Sequence, residues 1–372
     1  MTRTLALLVL LLAALPPATA RAGTPVDAMP RPAEAGPLAP PTRDAVFAIP
    51  EPLQQAFRRD VLEATRSPEG RLQKLVEFVF DERKLGMQYR ADLTRTIGEA
   101  YAAREVNCLT STLLLVALAR QAGLRAHGQQ VQQVLAWGAN GDIAIQSRHA
   151  NAVIEVGGRR YTVDVNAREG TATHALHPID DDRLLALFHG NRAMELLVGG
   201  RLADARPSME AALRLAPDDA GLLNNAGVIA LRSGDASAAE RLFLRAAQRN
   251  PREMSALSNL IALYEARGDG ERAGAWKARA DTLLRKDPYY QYSLGLKLEQ
   301  AGHHAQAAAH YRRAIRLNPN EHLFQFALAR AHAGMGNRRA AEYALAMAQS
   351  LSEGAPQSRY RGKLAALRNA GC

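Results

Sequence analysis

Cysteine is nearly absent: the 372 residues include two, Cys108 and Cys372. Two such distant thiols make no disulfide framework, and pairing them would require the end of the chain to reach residue 108. Aromatic residues make up 5% and form no stacking platform. The formal net charge is +10, yet the excess is nearly all arginine, scattered beside Glu and Asp without a basic run. Nucleic acid is therefore not an expected partner, and unspecific attraction to anionic surfaces such as lipid head groups is what the charge implies. No segment after Leu15 is long and apolar enough to span a bilayer. His174 and His177, followed by Asp180, Asp181 and Asp182, lack a tetrahedral ligand set and read as a solvated linker, and His303-His304 reads as a repeat turn. No metal or cofactor is expected.

What is present begins with a leader. Arg3, the apolar run Leu5 to Leu15, Pro16-Pro17 and small residues at Ala18, Ala20 and Ala22 have the pattern of a cleaved export signal over residues 1–22. The expected destination is the periplasm or the exterior. Residues 23–43, rich in Pro, Ala and Gly, read as a linker with little to bury.

From residue 44 the pattern is helical. Segments are expected over Pro52 to Ala64 and Glu69 to Asp81, the second with Leu72, Leu75, Val76, Val79 and Phe80 on one face. A short stretch at Leu85 to Tyr89 and a segment from Thr94 to Ala103 precede Asn107-Cys108, which opens a long apolar helix that Gly123 can close in a left-handed cap. An Asn N-cap before a cysteine at a helix start favours the thiolate. The plainer alternative is a small core cysteine.

Next, the period changes to two. Val131 to Trp137, Ile143 to Ser147, Arg148 to Val156 and Arg159 to Val165 read as strands, with Gly157-Gly158 a two-residue hairpin turn. If Val156 pairs with Arg159, His149 lies opposite Asn166, and Asp164 is one diagonal step away on the same face, about 7–8 Å distant.

Asn107-Cys108 with its apolar helix ending at Ala119-Arg120-Gln121-Ala122-Gly123-Leu124, then Arg148-His149, then Tyr161-Thr162-Val163-Asp164, resembles the transglutaminase-like (papain-like) thiol fold over residues 44–185. The resemblance implies an α+β domain with Cys108 as nucleophile, His149 as general base and then acid, and Asp164, or Asn166 in its place, orienting the imidazole. It also implies an oxyanion site at the Cys108 N–H, with Tyr89 or Gln88 as a second donor.

Glycines 200, 234, 268, 302 and 336 recur at intervals of 34, each followed five residues later by alanine, with a second alanine series at 212, 246, 280, 314 and 348. This is the pattern of the tetratricopeptide repeat, an all-α solenoid of five units over 186–355, with a capping helix and tail over 356–372. Equivalent first-helix positions carry Asn191, Asn225 and Asn259, then Ser293 and Ala327. These asparagines resemble a ladder that grips a peptide backbone in the concave groove; polar filling of that groove is the alternative. Tyr292, with Tyr289 and Phe326, would make the later groove aromatic.

Two functions fit. One is an exported thiol enzyme, a cysteine protease or amidase or a transglutaminase-like acyltransferase, acting through a Cys108 thioester while the repeats dock a protein or peptide. The other is a non-catalytic periplasmic adaptor that binds peptides through its repeats.

Overall fold

The computed structural model describes residues 38–131, 136–140, 143–147, 150–165, 176–352 and 354–369. The leader and most of the linker therefore lie outside the described residues, as do His149, Asn166, His174 and Cys372.

Short helices α1 (Arg43–Phe47) and α2 (Glu51–Phe57), the latter running into a π-turn at Arg58–Leu62, are followed by α3 (Pro68–Phe80). Ser67 caps α3 through Gly70 N, and Leu72, Leu75, Phe78 and Val79 face inward. Strand β1 (Gln88–Tyr89) pairs in parallel with β2 (Glu105–Val106) around α4 (Ile97–Ala103), which Thr96 and Glu99 close in a capping box. Next comes α5 (Cys108–Gln121), whose Leu113, Leu114, Leu115, Val116 and Leu118 are fully buried. Hydrophobic all round, it is the central helix of this half of the molecule. Gly123, at φ +74°, ends it as expected, and Leu124 N bonds back to Ala119 O at 3.0 Å.

Strands β3 (Arg125–Val131), β4 (Ala136–Asn140), β5 (Ile143–Ser147), β6 (Ala150–Val156), β7 (Arg159–Val163) and β8 (Leu176–Ile179) follow. One antiparallel sheet has the order β7-β6-β3-β8, while β4 and β5 form a separate hairpin. Val156 pairs with Arg159 across Gly157-Gly158, both at positive φ, so the expected hairpin register is present. β8 and all of β3 but Val131 lie outside the expected strands, and β4 covers Ala136–Asn140 where Val131 to Trp137 was expected. β3 lacks an apolar alternation because close packing takes its place: a Cβ on Gly128 would come within 2.8 Å of Leu184. β8, expected as solvated linker, is paired to β3, with His177 opposite Gln130.

Helix α6 (Asp181–Val198) starts at an Asp180 cap and runs through residue 186, where the repeats were expected to begin. One face supplies Leu184, Leu185 and Phe188 to the core around α5; another supplies Ala186 and Ala193 to the first repeat. This helix therefore belongs to both cores. The array continues as α7 (Leu202–Leu215), α8 (Ala220–Arg232), α9 (Ala236–Arg249), α10 (Met254–Ala266), α11 (Gly270–Arg285), α12 (Pro288–Gln300), α13 (His304–Leu317), α14 (His322–Gly334), α15 (Arg338–Ser350) and α16 (Gly354–Asn369). The five period-34 glycines all have φ between +71° and +84°, the left-handed geometry each helix end needs. Their alanine partners at 205, 239, 273, 307 and 341 are buried where helices touch. No helix among the described residues is long and apolar enough to cross a membrane.

Candidate functional site

The start of α5 is held from both sides. Asn107 Oδ1 accepts Thr110 N at 2.8 Å, so the expected N-cap is formed, and Asn107 Nδ2 donates to Thr94 Oγ1 at 2.8 Å. Thr94 is wholly buried. The same oxygen accepts Asn191 Nδ2 of α6 at 3.3 Å, Thr94 N donates to Glu195 at 2.8 Å, and Thr94 O accepts from Arg192 at 3.0 Å. Burial pushes the Glu195 carboxyl up, opposed by the Thr94 hydrogen bonds and by the Arg192 charge. Cys108, half-buried and unpaired with another cysteine, occupies the first position of the helix. Tyr89 lies opposite Val106, two residues before Cys108, in the β1–β2 pair.

Asp164 follows β7, and its Oδ2 accepts Asn151 Nδ2 at 3.5 Å; Asn151 Oδ1 in turn accepts Gln129 Nε2 at 3.2 Å. A polar row thus runs from the end of β7 across β6 and β3, with Asn151 and Gln129 buried. It lies on the sheet face away from α5, since Ala126, Ala150, Ala152, Ile154 and Val156 occupy the face that shares a core with that helix. Sequence reasoning missed Gln129 and Asn151. Their signal is the pairing of β3 with β6, which no local pattern carries.

The three asparagines of the repeats have different surroundings. Asn191 is exposed yet tied to Thr94; Asn225 is half-buried, its Oδ1 accepting Asn224 Nδ2 at 3.3 Å; Asn259 is buried, donating to Asn224 Oδ1 at 2.8 Å. The aromatic side chains expected in the later groove, Tyr289, Tyr292 and Phe326, are half-buried and contact neighbours within the chain. Tyr292 stacks on Tyr311 and Phe324 at 5.8 and 5.3 Å, Phe326 on Tyr360 of α16 at 4.9 Å, and Tyr289 donates to Glu321 at 2.9 Å. Burial raises the Tyr292 hydroxyl above its ordinary pKa.

A cavity of about 70 Å³ opens where these parts meet, lined by Leu109, Gln130 and Ala150 on one side and by Asn191, Asn225 and Ser255 among others on the other. Asp219 forms part of its wall, caps α8 through Leu222 N at 2.7 Å, and pairs with Arg183 at 2.6 Å. Among the described residues, no group of three His, Cys, Asp or Glu side chains converges as a metal site would require. Asp181 pairs instead with Arg120 at 2.7 Å and with Arg43 at 3.2 Å.

Family models for the tetratricopeptide repeat match residues 191–250, 226–290 and 288–321. Solved structures with similar stretches include YrrB, described as a TPR protein with an unusual peptide-binding site (18% identity, 48% of this chain and 92% of that one, TM-score 0.25). Others are MamA from Desulfovibrio magneticus RS-1 (17%, 45% and 94%, TM-score 0.25) and PilF from Pseudomonas aeruginosa (18%, 50% and 86%, TM-score 0.28). No curated protein matches the chain. The matched models span residues 191–321 and stop short of α5 and its sheet on one side and of α14 on the other. Residues 191–321 are tetratricopeptide repeats, and they form part of a helical solenoid that begins inside α6.

Proposed function

We propose that this protein is an interaction adaptor whose repeat array binds a peptide or protein segment, with the N-terminal α/β part fixed to the first repeat. The family match of residues 191–321 carries the reading, because repeats of this class bind proteins or peptides. Export through the leader, to the periplasm or beyond, belongs to the same proposal; fractionation of cells producing the full chain tests it.

The adaptor reading is tested by panning a random peptide library on the immobilised full chain. Enriched peptides should bind with a measurable Kd, compete with one another, and be recovered with unchanged mass. Enrichment of nothing above a blank surface overturns it.

A second reading, a transglutaminase-like thiol domain over residues 44–185 with Cys108, His149 and Asp164 as its triad, is supported by the Asn107 cap on the Cys108 helix. Cys108 would attack an amide or ester carbonyl while His149 takes the thiol proton and passes it to the leaving group; water or an amine then releases the thioester. Iodoacetamide should alkylate Cys108 faster than a free thiol at neutral pH, and His149→Ala should abolish the advantage. Labelling at the free-thiol rate would eliminate this reading.

A further inference from the structure

The cavity between the α/β part and the repeats has a definite hydrogen-bonding character. Its volume of about 70 Å³ suits about five waters, or one peptide unit with a small side chain. Three amides line it, and each has one end already engaged. Asn191 uses its Nδ2 on Thr94, Asn225 uses its Oδ1 for Asn224, and Gln130 uses its Oε1 for Arg183 Nη2 at 3.4 Å. The remaining ends are an acceptor, Asn191 Oδ1, and two donors, Asn225 Nδ2 and Gln130 Nε2.

Among the described residues, the one charged side chain lining the cavity is Asp219, and Arg183 beside it balances its charge. Asp219 and Arg183 form a pair with side chains 14% and 19% exposed, so a charged ligand would meet a pair already satisfied while giving up its own hydration. A neutral peptide amide has one N–H donor and one C=O acceptor, matching what the three side chains leave open.

We propose that this cavity is a composite binding site for an uncharged peptide amide, its N–H directed to Asn191 and its carbonyl to Asn225 and Gln130. The proposal rests on the peptide-binding reading above and adds the ligand's chemistry. It also makes the site a joint product: Gln130 and Leu109 come from the α/β part, so the repeats by themselves supply only half of it. Leu109 directly follows Cys108, which puts a bound amide at the first turn of α5.

The test uses the full chain and three probes: N-acetyl-alanyl-alanine amide, which is neutral, N-acetyl-alanyl-alanine, which ends in a carboxylate, and alanyl-alanine amide, which carries an ammonium. Binding is followed by saturation-transfer NMR at matched ionic strength. The neutral probe should bind saturably and the charged ones more weakly. Asn225→Ala and Gln130→Ala should each weaken it by about three- to tenfold, the range that corresponds to one net hydrogen bond. Tyr343→Ala, at a side chain 71% exposed, should change nothing. If Gln130→Ala fails to fold, the near-isosteric Gln130→Glu replaces it and should weaken the neutral probe by at least as much. Equal or tighter binding of a charged probe overturns the proposal. So does loss of binding in Asn225→Ala with none in the Gln130 variants, an outcome that leaves peptide binding by the repeats intact. If library-selected peptides bind while none of the three probes does, the composite site falls and the adaptor reading stands; if nothing binds at all, both fall.

Discussion

Asn107 and Asn191, 84 residues apart in the chain, donate to the same oxygen, Thr94 Oγ1, at 2.8 and 3.3 Å. One caps the helix that begins with Cys108 and the other stands on the first helix of the repeats. The hydroxyl couples the two parts. Thr94→Val keeps the shape, removes the acceptor and leaves the buried Asn107 amide without its partner. It should lower stability by about 1–3 kcal/mol, read as a lower urea midpoint. Adding Asn191→Ala should then cost less than it does in the wild type. Full additivity would show that the two bonds do not communicate.

His189 gives a pH dependence. It is buried in α6, and burial, with smaller contributions from Arg214 and Arg192, lowers its pKa from 6.5 to about 4. Between those values the unfolded chain takes up a proton that the folded one refuses, so stability falls as pH drops through this window. The full effect is about 3 kcal/mol. Replacement by Leu should flatten the stability profile between pH 6.5 and 4; an unchanged slope would mean that other groups produce it.

In the polar row on the sheet, Asn151→Leu would leave Gln129 with a buried amide and deprive Asp164 of a donor. A loss of about 1–3 kcal/mol is expected. Gln129→Leu added to it should recover part of that loss, because both ends of one bond are then gone, and denaturant titration of the single and double variants measures the recovery.

At the other end of the array, Tyr360 of α16 stacks on Phe326, shares a hydrogen bond with His322 Nδ1 at 2.9 Å, and is 3% exposed. Tyr360→Ala should destabilise by about 3 kcal/mol. Hydrogen exchange should show the opening confined to α14, α15 and α16, since each repeat contacts mainly its neighbours. Uniform loss of protection through α5 would contradict that locality.

The period-34 glycines are legible because each acts locally: a helix end that needs positive φ accepts glycine far more readily than any other residue. Gly157-Gly158 is legible for the same reason, and with it the register that puts Asp164 opposite Asn151. Strand β3 carries no local signal because Gly128 and Gln129 respond to Leu184 and Asn151, residues their own segment does not contain. Tyr292 and Phe326 stack on Phe324, Tyr311 and Tyr360, contacts that no pattern within their own helices records.

The sequence by itself determined what depends on a few consecutive dihedrals or on one repeated period: the capped start of α5, the Gly-Gly hairpin and the tetratricopeptide array. Only the tertiary structure decided that α6 serves two cores, that Thr94 joins Asn107 to Asn191, and that three amides from distant segments surround one cavity. Those relationships come from side chains packing across large sequence separations, where no periodicity in the chain records which residues will meet.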